Sequence, residues 1–241
     1  MTNGDEATPG FLGILGNLYV APSEAFAAIL KKPTVWAPLL LAMALNAAFS
    51  VVWLQKVDGE GFMKARLAES PRTRDLPAEQ RAQIVDQQVK MLPVFAGMGP
   101  VFVAIVALVV AGALVFVFRF FFAGEVTFRQ GLSMTAWVFV ALGVVTLPLT
   151  YLTLYLKDDW TLTPQEVLQA NPSLFVERAG VAAPVFSLLG SLDLFSFWGI
   201  ALLAVGFGLG SRKTFGSALW GVALPWLLYV LGKAALAAMF G

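Results

Sequence analysis

Five long segments with almost no charge constrain this chain more than any other feature of its sequence. A helix needs about 20 residues to cross a hydrocarbon core of about 30 Å, and each segment offers that length with at most one charged residue. Backbone groups in lipid must be hydrogen-bonded within the chain, and the alternating pattern of a barrel is absent, so we expect helices. The predicted fold class is an all-α polytopic membrane bundle of five transmembrane helices, at about 34–54, 94–118, 132–156, 190–210 and 215–240.

The composition supports the membrane class and removes most catalytic chemistry. Apolar residues make up 59% of the 241 residues, against about 45–50% in soluble domains. The chain has no Cys and no His, which excludes thiol nucleophiles, Cys/His zinc sites and His-based triads. Its net charge of +1 provides no field that attracts nucleic acid. We predict no enzyme, no metal and no cofactor; a dyad of Ser191 or Ser196 with Lys233 is the main catalytic alternative.

Residues 1–33 are predicted to form an N-terminal segment that lies in the membrane interface, ahead of a membrane domain at 34–241. Apolar residues recur at i, i+3, i+4 and i+7 from Phe11 to Leu18, which is the spacing of one helical face. A second short helix follows, with Pro22 in its first turn and Lys31 and Lys32 at its end. The alternative is a soluble cap helix.

The polar loop at 55–92 is the one long charged segment between the predicted spans. It carries seven Lys/Arg and six Asp/Glu and is predicted to hold a helix from Glu79 to Met91, interrupted by Pro93 where the second span begins. Such a loop either docks on the bundle or binds a partner, and docking is the prediction.

Asp193 and Lys233 are the two charged residues inside predicted spans, which makes them a functional-site hypothesis. Counted from the short turn between the last two spans at about 1.5 Å per residue, they lie at about 26 and 28 Å. We therefore predict that they pair or share a polar cluster. The alternatives are a helix N-cap for Asp193 and a snorkelling side chain for Lys233.

A second polar cluster is predicted on the side of the membrane that holds the N-terminus. Arg119 and Arg129 could hold Glu24 or Glu125 and so tie the N-terminal helix to the second turn. Anionic lipid is an equally good ligand for arginine, and a solvated basic rim is favoured over any specific site. Within the spans, we expect Gly206 and Gly210 to allow close helix packing.

Three segments together resemble the Yip-domain family of five-span membrane proteins, named for interaction with Ypt/Rab small GTPases. They are APSEAF (21–26), AGEVTFRQGLSMTAW (123–137) and SLDLFSFWGIALLAVGFG (191–208). The polar loop helix is similar to that of the prokaryotic branch. The resemblance implies a cytoplasmic N-terminus and, for eukaryotic relatives, roles in trafficking or membrane shape; a small GTPase partner follows from the resemblance alone.

The charge distribution leaves the orientation open. A raw count of Lys and Arg favours the N-terminus outside, whereas the bases close to the short turns favour it inside. We give the short turns more weight and predict a cytoplasmic N-terminus in a bacterial plasma membrane.

The predicted function is a non-catalytic scaffold that organises the membrane or binds partners. Its predicted partners are the lipid bilayer with its anionic lipids, other membrane proteins and a second copy of the chain. The alternative is a transporter or channel for a small solute, ion or lipid that uses the Asp193/Lys233 cluster.

Overall fold

The computed structural model describes residues 9–69, 73, 76–161, 167–168, 170–176 and 180–240. Residues 1–8 of the predicted interfacial segment and residues 70–72, 74 and 75 of the polar loop lie outside this set. The described part is helical and contains no strand, which confirms the all-α class. In chain order its elements are α1 (Phe11–Val20), α2 (Pro22–Lys31), α3 (Trp36–Lys56), α4 (Gly59–Glu69), α5 (Ala78–Phe121), α6 (Phe128–Lys157), a 3-10 turn (Pro172–Phe175), α7 (Ala183–Ser191), α8 (Leu194–Gly210) and α9 (Phe215–Phe240).

Local sequence signals explain where several helices begin. Thr127 and Gln130 form a capping box at the start of α6, since the Thr127 backbone N–H donates to Gln130 Oε1 at 3.0 Å and the Gln130 N–H donates to Thr127 Oγ1 at 3.3 Å. Asp58 Oδ1 accepts from the Glu60 N–H at 3.2 Å and so caps α4. Pro22 occupies the first turn of α2, where its missing N–H costs nothing.

Among the described residues, four helices are long and apolar enough to cross a membrane, namely α3, α5, α6 and α9. The helices α7 and α8 pass the same test together but are bent by 53° at the break between them, so the number of spans is five if this pair counts as one. The helical membrane bundle is therefore confirmed. The predicted fourth span at 190–210 begins earlier than expected and contains a break.

The predicted interruption at Pro93 is wrong. The helix α5 runs without a break through Pro93 and Pro100 for 44 residues, so the loop helix and the second span are one element. A proline removes one helical N–H and leaves one carbonyl without its partner. Val89 and Leu92, in the turn just before Pro93, pack on the apolar core that contains Phe62, which holds this turn in helical geometry as the chain enters the proline.

The chain divides into two compact units whose boundaries fall mostly inside helices. Unit 1 is Met1–Ala42, Ile105–Leu142 and Trp198–Trp226; unit 2 is Met43–Ala104, Gly143–Phe197 and Leu227–Gly241.

Unit 1 has a core of large side chains that are completely covered. Phe26, Phe118 and Phe207 are 0% exposed and Trp137 is 1% exposed. The apolar faces of both N-terminal helices contribute to this core through Ile14, Leu18, Phe26 and Ile29. The predicted pair of N-terminal helices is confirmed, and the inner faces of these helices contact protein rather than lipid.

Unit 2 has a separate apolar core that the polar loop helps to build. Phe62, Met63 and Leu67 of α4 pack with Val85 and Leu92 of α5. The same cluster includes Trp53 at the end of α3 and Leu154 near the end of α6. The loop is therefore docked, as predicted.

Candidate functional site

The break between α7 and α8 is where the structure places Asp193. Its carboxylate Oδ1 accepts from the Ser196 N–H at 2.9 Å, and Oδ2 accepts from the Ser196 hydroxyl. A side-chain oxygen that binds the N–H three residues later is an N-cap, which satisfies one of the free donors at the start of α8. The Leu194 N–H donates to the carbonyl of Ala170 at 3.2 Å, so the preceding loop satisfies another of the free N–H donors at the start of α8.

Lys233 of α9 contacts the other side of the same break. Its Nζ donates to Ser191 Oγ at 2.9 Å, and Ser191 is the last residue of α7. In the part of the chain that the structure describes, no ion pair joins Asp193 to Lys233. The predicted direct pair is therefore absent: the two residues stand on either side of one helix break, and each has a serine partner.

The contact of Lys233 with Ser191 does not have the geometry of a catalytic dyad. The Ser191 hydroxyl donates to the carbonyl of Ser187 at 2.7 Å, so its proton points away from the lysine. A lysine base would have to accept that proton. The arrangement instead ties α9 to the end of α7. Across the described residues, no group of three or more Asp or Glu is positioned to hold a metal ion.

Three segments of unit 1 converge around Gly210 and Gly124. A Cβ built on Gly210 would lie 2.8 Å from Val126 Cγ2 and 3.2 Å from Leu30 Cδ2. A Cβ built on Gly124 would lie 2.8 Å from the Cβ of Ser211. The end of α2, the turn between α5 and α6, and the turn between α8 and α9 are therefore in contact with one another.

These three segments carry six exposed basic residues, which we call the basic end. Its members are Lys31, Lys32, Arg119, Arg129, Arg212 and Lys213. Glu24 and Glu125 are also exposed on these segments. Among the described residues none of these eight side chains forms an ion pair within 4.0 Å, so the basic end keeps its charge free for an external anion.

The bridges considered from Arg119 and Arg129 to Glu24 or Glu125 are not formed among the described residues, where all four side chains are exposed. The tie between α2 and α6 uses neutral side chains: Gln130 Nε2 donates to the Leu30 carbonyl at 3.3 Å, and Ser133 Oγ donates to the Thr34 carbonyl at 2.8 Å. Short polar donors suit this role because the last carbonyls of a helix need partners. The capping box at Thr127 and Gln130 was a visible signal for the start of α6, whereas the carbonyl partners depend on tertiary packing.

Two glycines hold side chains at close range, one in each unit. A Cβ on Gly206 would lie 2.8 Å from Phe26 Cδ1 and 2.9 Å from Met134 Sδ, so the predicted packing role is confirmed. A Cβ on Gly99 would lie 2.6 Å from Asn46 Oδ1. That oxygen is buried and has no hydrogen-bond partner among the described residues.

The long apolar helices define the class of this chain: it is an integral membrane protein with an all-helical membrane domain. The family model described as the Yip1 domain matches residues 16–236, so the chain belongs to that family. It is also similar to the membrane protein YknW of Bacillus subtilis (strain 168), with 28% identity over 203 residues that cover 82% of this chain and 77% of the relative. The bacterial relative is consistent with the prokaryotic branch. No solved structure matches this chain.

Proposed function

We propose that the protein is a non-catalytic membrane scaffold whose basic end binds anionic lipid headgroups and recruits other membrane proteins. The observation that carries this proposal is the convergence of three helix ends with six exposed bases, none of which forms an ion pair with a described residue. A basic residue near an anionic surface contributes about 1 kcal/mol of attraction. Exposed Phe120 and Phe121 beside Arg119 add apolar side chains suited to the acyl boundary.

The backbone of Arg212 supports a role for the basic end that is not structural. Arg212 has a φ of 54°, in the left-handed region that glycine adopts more easily. A left-handed conformation costs other residues about 1–2 kcal/mol. The next N–H, that of Lys213, donates to the Gly208 carbonyl at 2.9 Å and ends α8. Arg212 therefore places a positive charge at the basic end in a backbone conformation that glycine would adopt at lower cost.

The basic end is proposed to face the cytoplasm of a bacterial plasma membrane. Lys and Arg close to span ends are enriched on the cytoplasmic side. With five spans, the two chain ends lie on opposite sides. Reporter fusions at each terminus test this orientation: the N-terminal reporter should be active only in the cytoplasm and the C-terminal reporter only outside it. Activity of both in one compartment would contradict it.

Lipid binding is tested with the full chain in nanodiscs that contain either phosphatidylcholine alone or a fraction of phosphatidylglycerol, with bound lipid counted by native mass spectrometry. Loss of two bases in Arg212→Gly/Lys213→Gln should weaken retention of phosphatidylglycerol by at least about tenfold. The same double variant should be at least as stable to heat as the parent, because glycine relieves the left-handed residue.

The matched control is Lys56→Gln/Lys90→Gln, which removes two exposed bases from unit 2. It should leave lipid retention unchanged. Equal losses from both double variants would show that net charge alone attracts the lipid, and the proposal for the basic end would then fail.

A second candidate function, transport, is favoured by one observation: the break between α7 and α8 places Asp193 and Lys233 at an interrupted apolar helix. Interrupted helices form the ion and solute sites of many transporters. Proton and potassium fluxes into proteoliposomes test it, with Asp193→Asn as the variant and exposed Asp158→Asn as the control. Flux that only Asp193→Asn abolishes would replace the scaffold with a transporter.

A further inference from the structure

Two cavities lie along the contact between α4 and the first half of α5, both within unit 2. The first has a volume of about 330 Å³ and is lined by Lys64 and Leu67 of α4 and by Arg81 and Val85 of α5. The second has a volume of about 450 Å³ and is lined by Met63 of α4 and by α5 residues. The α5 residues of the second cavity are Gln87, Gln88, Met91 and Phe95.

The two cavities form one groove because their α5 residues share a helical face. Arg81, Val85, Gln88 and Phe95 are separated by three, four or seven residues, which places them on a single stripe. The helix α4 runs antiparallel to this stripe, since Gly59 approaches Leu92 while Leu67 lines the cavity of Arg81. From Arg81 to Phe95 the groove is about 21 Å long.

The chemistry of the groove changes from one end to the other. Lys64 and Arg81 stand at one end; Lys64 pairs with Glu60 at 2.5 Å, whereas Arg81 has no ion pair among the described residues. Met63, Met91 and Phe95 form the other end. Beyond Phe95 the exposed face of α5 is apolar and belongs to the membrane span. The groove is thus basic at its Arg81 end and continuous with a lipid-facing surface at its Phe95 end.

We propose that this groove binds one anionic phospholipid from the bilayer, with its phosphate at Arg81 and Lys64 and an acyl chain along Met63, Met91 and Phe95. A chain of one leaflet is about 15 Å long and its headgroup adds about 5–7 Å, which matches the length of the groove. Methionine side chains adapt their shape to a flexible chain. The site is independent of the basic end, because it lies in unit 2 and uses other residues.

Photocrosslinking to the full chain in nanodiscs tests the groove. The probe is phosphatidylglycerol with a photoreactive group on its acyl chain, and labelled residues are located by peptide mass spectrometry. Label should concentrate on Met63 and Met91 at several times its level on Met98 and Phe102, which are lipid-facing positions outside the groove. Arg81→Gln should reduce the groove label about fivefold, and the charge-matched control Lys90→Gln should not.

A variant that fills the groove separates binding from unfolding. Ala82 is exposed and lines the basic cavity, so Ala82→Trp should block labelling of Met63 and Met91; Gln83→Trp, next to it but outside the lining, should not. Label spread evenly along α5 would overturn the site. Equal label from phosphatidylcholine would overturn the role of Arg81. A photoreactive side chain at Met91 that captures a polypeptide instead of lipid would assign the groove to a protein and overturn the proposal.

Loss of retained lipid in Arg212→Gly/Lys213→Gln with groove label intact would leave this site standing while supporting the basic end. Absence of the groove label together with this loss of retained lipid would contradict the groove alone. Unchanged lipid retention in the double variant with groove label intact would contradict the basic end alone, so the two proposals fail separately.

Discussion

The two units of this protein solve the packing of apolar side chains in different ways. In unit 1 the aromatic side chains of the buried core, Phe26, Phe118, Phe207 and Trp137, are enclosed, and glycines lie close to them, as Gly206 does to Phe26. In unit 2 the aromatic members of the core, Trp53 and Phe62, keep 8% and 7% of their surface exposed, and a groove runs beside them. Tight packing defines a rigid structure, whereas an open groove leaves room for a ligand. The contrast assigns a structural framework to unit 1 and an adaptable surface to unit 2.

The charges show a parallel contrast. In unit 2, described bases such as Lys64 and Lys90 pair with acids one turn away, at 2.5 and 2.6 Å. The bases of unit 1 form no ion pair with any described residue and are gathered at one end. An i,i+4 pair helps a surface helix by a few tenths of a kcal/mol, whereas exposed bases without such a partner leave their charge available to an external anion. Unit 1 thus contains both the tightly packed core and the exposed basic end.

The largest difference between the units should appear when a core phenylalanine is truncated. We expect Phe26→Ala to lower the free energy of unfolding by about 3–5 kcal/mol, because its cavity lies in a closed core. Phe62→Ala should cost less, because Phe62 keeps 7% of its surface exposed whereas Phe26 keeps none. Unfolding in detergent followed by circular dichroism measures both. A cost for Phe62→Ala equal to that for Phe26→Ala would remove the contrast in packing.

How far the sequence predicts this structure depends on the range of the interactions involved. The apolar runs and the stripe from Phe11 to Leu18 predict helices because both signals are local. The N-cap at Asp193 also has a local signal, the serine three residues later, so the sequence alone supports the N-cap as an alternative to the pair with Lys233. The contact of Lys233 with Ser191 joins residues 42 positions apart, so its partner depends on how α9 packs. The same is true of the bridges expected for Arg119, which neutral donors replace.

The next effect concerns glycines, and it tests close packing in both units. Gly206→Ala should cost about 1–3 kcal/mol because its Cβ would meet the Phe26 ring. Gly99→Ala should cost a similar amount through Asn46, and Asn46→Ala should suppress it in a double-mutant cycle. Gly97→Ala and Gly232→Ala are the controls, since nothing lies within 4 Å of either added Cβ. Thermal unfolding measures all of them, and an equal cost at Gly97 would refute the contact explanation.

A smaller effect is expected where α1 contacts α6 within unit 1. The Tyr19 hydroxyl donates to the Ala141 carbonyl at 2.7 Å, so Tyr19→Phe should lower the free energy of unfolding by about 1 kcal/mol. Burial raises the pKa of Tyr19 above its ordinary value of 10.0. Since the raised pKa belongs to the folded state, this contribution is complete below pH 10 and is lost as the pH rises further. Tyr155→Phe, at an exposed position, should leave the free energy of unfolding unchanged.

The smallest expected quantity is the coupling between Asp193 and Lys233, and it decides what the helix break is. Asp193→Ala should cost about 1 kcal/mol as the loss of an N-cap, whereas Asp193→Asn should cost little because asparagine is an equally good cap. Lys233→Met should remove only its bond to Ser191. Because the two residues share no partner, the double variant Asp193→Ala/Lys233→Met should be additive within about 0.5 kcal/mol. A larger coupling, or a substantial loss of stability in Asp193→Asn, would mean that the Asp193 carboxylate interacts electrostatically with Lys233 across the break. The break would then be a charged site inside a span, as the transport candidate predicts, rather than a capped joint within the proposed scaffold.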